Sequence, residues 1–296
     1  MAETSWLLRS LLFVPGHRHE MIAKAAASGA DAIIMDLEDG VAPAEKPAAR
    51  RAVAAALDGP LPDRLVVFVR LNSTGSGRLD DDVREALRAR ADGVCLPKCE
   101  SPADVRAVAA RLLAAEDRLA LPRGRLRMLA LVETARGVIA SAAIARESRR
   151  VYGLVFGAED FTADTGMPRT REGTELAAAR TAVSLAAHAA GVDAIDGIFA
   201  DFRDADGLAH DTMEARRLGY TGKTLIHPAQ IPPVHRMFAP GPDEITKARR
   251  IVEAFERGET AGSGIVVVDG AMVDRPVVLR AQRVLALAAR GESRSA

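Results

Sequence analysis

One pattern constrains this chain more than any other: a short apolar run followed by an alanine- and arginine-rich stretch, repeated along most of its length. The runs are Ser10–Val14, Ala32–Asp36, Leu65–Leu71, Gly93–Pro97, Met128–Val132, Leu154–Gly157, Ala194–Phe199 and Lys223–His227. They are continuously apolar rather than alternating, as expected of strands covered on both faces. The intervening stretches carry a 3.6-residue period and predict helices over Glu45–Leu57, Pro102–Ala115, Glu172–Ala190 and Met213–Gly219. Pro43, Pro102 and Pro168 are expected near helix starts, where a missing N–H costs least, and Ser101 reads as an N-cap with Asp104 three residues on. Eight such units predict a closed (β/α)8 TIM barrel. An open doubly wound sheet is the alternative, but no G-x-G-x-x-G follows the first run and no phosphate-binding loop motif occurs.

The pattern breaks near residue 236, giving an expected barrel over 1–236 and an extension over 237–296. Pro232, Pro233, Pro240, Gly241 and Pro242 cluster there. Then come an amphipathic stretch, Asp243–Arg257, a glycine-rich link from Gly258 to Gly264, and two apolar runs, Ile265–Val268 and Ala271–Val273. Asp269-Gly270 between them is a strong hairpin signal. A last helix is predicted over Val277–Ala289. This helix–hairpin–helix is expected to be too short for a core of its own, and so to pack on the barrel or on a neighbouring subunit.

Composition narrows the function classes. In 296 residues, hydrophobic side chains make up 48%, and 40 Lys and Arg balance 40 Asp and Glu. Neutrality argues against nucleic acid or a membrane surface as partner. No apolar run nears the roughly 20 residues of a membrane span. The two cysteines, Cys95 and Cys99, form no disulfide framework and suit a reducing cytoplasm.

In such a barrel the chemistry sits at the C-terminal ends of the strands. There the chain places Pro15-Gly16-His17-Arg18, Asp36 to Asp39, Arg70 and Asn72, Lys98, Glu133-Thr134, Gly157 to Asp160, Asp201 and His227. Carboxylates from the fifth and sixth strands can share a divalent cation, and an oxygen-only donor set suits Mg2+ or Mn2+ rather than zinc. Arg70 can grip a carboxylate or a developing oxyanion. Lys46 and Arg50, on the helix after the second run, read as ion-pair partners.

Eight segments in order carry a resemblance: Arg9 to Gly16, Asp36-Leu-Glu-Asp-Gly-Val41, Glu45-Lys-x-x-Ala-Arg50, Val69-Arg-x-Asn72, Leu96-Pro-Lys98, Glu133-Thr-Ala-x-Gly137, Gly157-x-Glu-Asp-Phe161 and Ile226-His-Pro-x-Gln230. The chain resembles the citrate lyase β-subunit-like (HpcH/HpaI aldolase) superfamily, and in particular its CoA-ester lyases of the malyl-CoA and citramalyl-CoA type. The resemblance implies a TIM barrel, a homotrimer or hexamer, and Mg2+-dependent reversible cleavage of a 3-hydroxyacyl-CoA to acyl-CoA and a 2-keto acid. It implies metal binding by Glu133 and Asp160, substrate contact by Arg70, and CoA thioester contact by Phe13, Arg18, Lys24, Ile226 and His227. Glu38 and Asp39 are expected to support Arg70 or ordered waters. Met272-Val-Asp-Arg-Pro276 resembles the segment that carries a catalytic acid/base aspartate over a neighbouring subunit's barrel, which implies that role for Asp274. Asp201 to Asp204 and Gly219 to Lys223 resemble the citramalyl-CoA lyases, whose keto acid is pyruvate. His17-Arg-His-Glu20 departs from the usual first loop, and Glu20 stands where some relatives have a basic CoA contact. The alternatives are a citrate lyase β subunit acting on a carrier-bound thioester, and a metal-dependent aldolase of CoA-free keto acids.

Overall fold

A computed structural model describes residues 6–260 and 262–295. Eight parallel strands close into a barrel in chain order. They are β1 (Ser10–Pro15), β2 (Ala32–Asp36), β3 (Val66–Arg70), β4 (Gly93–Leu96), β5 (Arg127–Val132), β6 (Val151–Phe156), β7 (Asp193–Asp196) and β8 (Gly222–Leu225). Closure is made by β1 against β8, from Ser10 opposite Lys223 to Leu12 opposite Leu225. An open sheet would leave those two strands as bare edges. Ile33, Ile34, Val67, Phe68, Val94 and Leu129 are 0% exposed, because side chains on one face fill the barrel and those on the other meet the helices. Strands β7 and β8 end sooner than the apolar runs suggest, so Phe199, Ile226 and His227 lie on the loops beyond them.

The helices include His19–Ala26, Lys46–Asp58, Pro102–Arg118, Ala135–Arg146, Ala158–Thr165, Ala177–Ala190 and Ala205–Arg217. The helix expected at Pro102 starts there, with Ser101 in the N-cap position, while other expectations are corrected. Ser101 does not cap by accepting a backbone N–H; its hydroxyl donates to Asp104 Oδ2 at 2.8 Å, and that carboxylate also accepts Glu100 N–H. Pro168 starts no helix. It lies in a loop organised by Glu175, which accepts both the N–H and the hydroxyl of Thr170, and the α-helix begins only at Ala177. The helix expected at Met213 starts at Ala205, because the Asp204 carboxylate accepts Gly207 N–H and caps it there. Pro232 and Pro233 do not break the chain. They occupy the first turn of the helix Ile231–Phe238, where N–H groups have no intrahelical acceptor to lose.

From Arg236 onward the chain forms a second compact unit. Helices Pro242–Thr260 and Arg275–Ser295 flank an antiparallel ribbon of β9 (Val266–Val268) and β10 (Ala271–Val273). Asp269 and Gly270 both have positive φ, 52° and 77°, the geometry a two-residue hairpin turn needs. Contrary to expectation this unit does bury a small core: Ala248, Ile251, Phe255, Val273, Val278 and Ala281. Two amphipathic helices and a ribbon supply enough apolar faces for it.

Candidate active site

The barrel register places charge against charge at the C-terminal rim. Asp36 ends β2 and sits opposite Arg70, which ends β3. Arg70 donates Nε–H to Asp36 Oδ1 at 2.6 Å and Nη2–H to Oδ2 at 2.7 Å. The same two oxygens accept Glu38 N–H and Gly40 N–H. Burial alone would raise the Asp36 pKa, but this fork and the two backbone donors hold it below the usual carboxylate range. The guanidinium is thereby fixed on three sides. Its Nη1 lies 3.2 Å from Glu38 Oε2, and its carbon lies 4.9 Å from the centre of the Phe13 ring.

Lys98 follows β4 and donates its ammonium to Glu38 Oε1 at 2.7 Å and to Asp39 Oδ2 at 3.1 Å, with Asp160 Oδ1 at 3.8 Å. Its backbone N–H donates to Glu133 Oε1 at 2.8 Å. Glu133 follows β5 and is buried. Burial and then the Asp160 charge push its pKa up to about 8, which means two carboxylates share a site short of positive charge. Glu38 is likewise raised, by burial against the pull of Arg70 and Lys98, and its Oε2 has no hydrogen-bond donor. Gly157, between β6 and the next helix, makes room for Glu133. A Cβ there would lie 2.5 Å from the Glu133 Cβ and 2.6 Å from its Oε2.

A cavity of about 340 Å3 opens between these strands. Phe13, Met21, Asp36, Arg70, Glu133, Asp160 and Ile226 line it, together with the apolar Leu131 and Phe156. The structure therefore gathers Phe13, Arg70, Glu133, Asp160 and Ile226, all anticipated from sequence. Glu38 and Asp39 join through Lys98. Three anticipated CoA contacts are not among the residues lining the cavity. Arg18 is exposed and donates to His17 Nε2, Lys24 is exposed in the last turn of its helix, and His227 stacks on Phe202 with ring centres 4.6 Å apart. Asp274 belongs to the C-terminal unit. There its Oδ1 accepts Val277 N–H and its carbonyl accepts Val278 N–H, capping the last helix. Glu159 also reaches the cavity wall, but it is paired with Arg169 at 3.1 Å, which leaves Asp160 the better-placed ligand. Lys46 makes no ion pair among the described residues. Its ammonium donates to the carbonyls of Leu37 and Glu38, whereas Arg50 does pair, with Asp82.

Glu133 and Asp160 could hold a hard divalent ion. Their donors are carboxylate oxygens, their charges are mutually uncompensated, and among the described residues no three His, Cys, Asp or Glu side chains close a cage. A two-carboxylate site leaves open positions for water and a substrate oxygen, as Mg2+ prefers.

Comparison with known proteins follows the same segments. The model of the HpcH/HpaI aldolase/citrate lyase family matches residues 9–228, from the start of β1 to just past β8. The chain belongs to that family. Among its relatives, citrate lyase subunit beta of Leuconostoc mesenteroides subsp. cremoris is 39% identical over 95% of this chain and 93% of that one. Mitochondrial citramalyl-CoA lyase of Rattus norvegicus is 34% identical over 95% of this chain and 86% of its own. Among solved structures, the protein CitE from Mycobacterium tuberculosis, in complex with magnesium, acetoacetate and coenzyme A, superposes with a TM-score of 0.78 at 36% identity. It covers 95% of this chain and 98% of that one. Membership in the HpcH/HpaI family makes this chain an enzyme of the lyase type.

Proposed function

We propose that this chain is a Mg2+-dependent CoA-ester lyase. It splits a 3-hydroxyacyl-CoA of the citramalyl-CoA or malyl-CoA type into an acyl-CoA and pyruvate or glyoxylate, reversibly. The observation that carries the reading is Arg70: a guanidinium locked by Asp36 on the wall of the cavity that Glu133 and Asp160 also line. Glu133 and Asp160 would hold Mg2+, or Mn2+ in its place, and the ion would polarise the keto oxygen of the departing acid. Arg70 faces the charge of the acyl-CoA enolate and stabilises it without reorganising, since its geometry is already set. Phe13 and Ile226 supply apolar wall for the thioester arm. Asp274 protonates the enolate carbon, or removes the acyl-CoA proton in reverse. It does so from a neighbouring subunit of a homotrimer or hexamer, as the resemblance of Met272–Pro276 implies. Among those residues no helix is long and apolar enough to cross a membrane, and both cysteines are free and buried, which agrees with a reducing cytoplasm.

Incubation with Mg2+, acetyl-CoA or propionyl-CoA, and glyoxylate, pyruvate or oxaloacetate, followed by mass spectrometry of new thioesters, tests the reading. One keto acid is expected to condense. The likeness to the Leuconostoc citrate lyase subunit favours a second reading, a β subunit working on a carrier-bound thioester. Silence on every free CoA thioester, with turnover of an acyl-carrier-protein thioester, would replace the first reading by the second.

A further inference from the structure

Lys98 has a backbone that lysine seldom adopts. Its φ is +48°, the left-handed region, where a side chain other than glycine is held only if its surroundings over-determine it. Here the surroundings are two sets of carboxylates. The turn aims the N–H at Glu133 Oε1, 2.8 Å away, and sends the side chain the other way, to Glu38, Asp39 and Asp160. Among the described residues, and leaving aside the Glu159–Arg169 pair, five carboxylates at this rim (Asp36, Glu38, Asp39, Glu133 and Asp160) stand against two cations, Arg70 and Lys98. Arg70 is committed to Asp36 and Glu38. Among the described residues Lys98 is the cation that pairs with Asp160, at 3.8 Å.

We infer that Lys98 is the resident counter-ion of the metal site and the positioning residue for Glu133. This rests on the reading that Glu133 and Asp160 hold a dication. Without the ion, the ammonium offsets part of the uncompensated charge and keeps the rim assembled. With the ion, two cations compete for one group of carboxylates, so Lys98 lowers metal affinity and keeps the ion exchangeable. The backbone N–H meanwhile holds Glu133 Oε1, so that Oε2, the oxygen nearest Gly157, is free to face the ion.

Three variants separate charge from shape: Lys98→Met deletes the charge and keeps the length, Lys98→Arg keeps the charge, and Lys98→Gly keeps the left-handed turn without the ammonium. Mn2+ alone is titrated calorimetrically into each protein, and thermal unfolding is followed with and without Mn2+. Lys98→Met is expected to bind Mn2+ roughly tenfold tighter than wild type, since a like charge near the ion is removed. It should melt lower than wild type without metal and recover at saturating Mn2+. Lys98→Arg should stay near wild type. Unchanged or weaker Mn2+ binding by Lys98→Met, or a stability deficit that Mn2+ does not restore, overturns the inference and reduces Lys98 to a brace. If Lys98→Met does not fold, Lys98→Gly decides by the same criteria. A wild-type protein that binds no Mn2+ defeats the metal reading itself, and this inference with it.

Discussion

Two clusters of buried charge sit in the same barrel and differ in their balance. Between β7, β8 and the helices Ala177–Ala190 and Ala205–Arg217, Asp196 and Asp211 meet Lys223 and Arg180. Arg180 forks onto Asp196 at 3.1 and 2.7 Å and reaches Asp211 at 3.1 Å, while Lys223 touches both carboxylates. Charges match there two for two, and no side-chain atom of the four is without a partner. At the rim, carboxylates outnumber cations, Glu38 Oε2 accepts no hydrogen bond although Arg70 Nη1 lies 3.2 Å away, and Glu133 holds its proton up to about 8 because burial and Asp160 disfavour its charge. A neutral, saturated cluster is a brace. An unbalanced one at a cavity wall has room for a ligand of the missing sign.

The difference can be broken by substitution. The largest effect is expected from Arg70→Met. It removes the rim guanidinium, for roughly 10²–10³-fold in kcat, and also strands the buried Asp36, for about 3–5 kcal/mol of stability. Steady-state kinetics and urea unfolding on one preparation would show both losses; a variant that keeps kcat contradicts the role given to Arg70. Next comes Lys223→Met. It leaves Asp196 and Asp211 with Arg180 as their direct ion-pair partner and is expected to cost about 3–5 kcal/mol in urea unfolding, with Mn2+ affinity unchanged. A parallel fall in metal affinity would show that the clusters are not separate. Gly157→Ala is smaller. Its Cβ collides with Glu133, so Mn2+ affinity should fall by roughly tenfold, the scale seen when a group supporting a metal ligand is disturbed, with a lesser loss of melting temperature. The smallest signal concerns the thiols beneath the rim. Burial pushes Cys99 up to about 12 and Cys95 higher still. Neither should be alkylated by iodoacetamide near pH 8 in the native protein, and both should be after unfolding. Labelling of the native protein would mean that the rim opens.

Acid sharpens the same contrast. Asp36 is held below the ordinary carboxylate range despite its burial, because Arg70 and two N–H groups favour the charged form. A depressed carboxylate stabilises the fold above its unfolded-state pKa, and the contribution is lost as pH falls through the folded value. Stability should therefore decline below about pH 4, and Arg70→Met should flatten that decline.

Much of this was visible in the chain alone. Apolar runs locate the eight strands, because a strand buried on both faces must be apolar throughout, and once the strands are placed, so are Arg70, Glu133 and Asp160 at their ends. What escaped was contact made across the fold. Asp36 reads as one acid among several until the register sets it opposite Arg70. Lys98 reads as a rim cation until its backbone is seen turned to the left. Nothing in the sequence around Phe202 announces that it will cover His227. The start at Pro102 is legible, whereas helix starts shift where a carboxylate in the preceding loop organises the turn: Asp204 caps the helix at Ala205, and Glu175 holds the loop before Ala177.

The closure of β1 on β8 has a consequence in time. Ser10 finds its partner at Lys223, more than two hundred residues later in the chain. Until that late segment is available, the first strand has one unsatisfied edge and the barrel cannot seal. Such long-range pairing slows folding. A growing chain released before residue 225 would carry two open, apolar strand edges, the kind of surface on which chains join one another instead of closing on themselves.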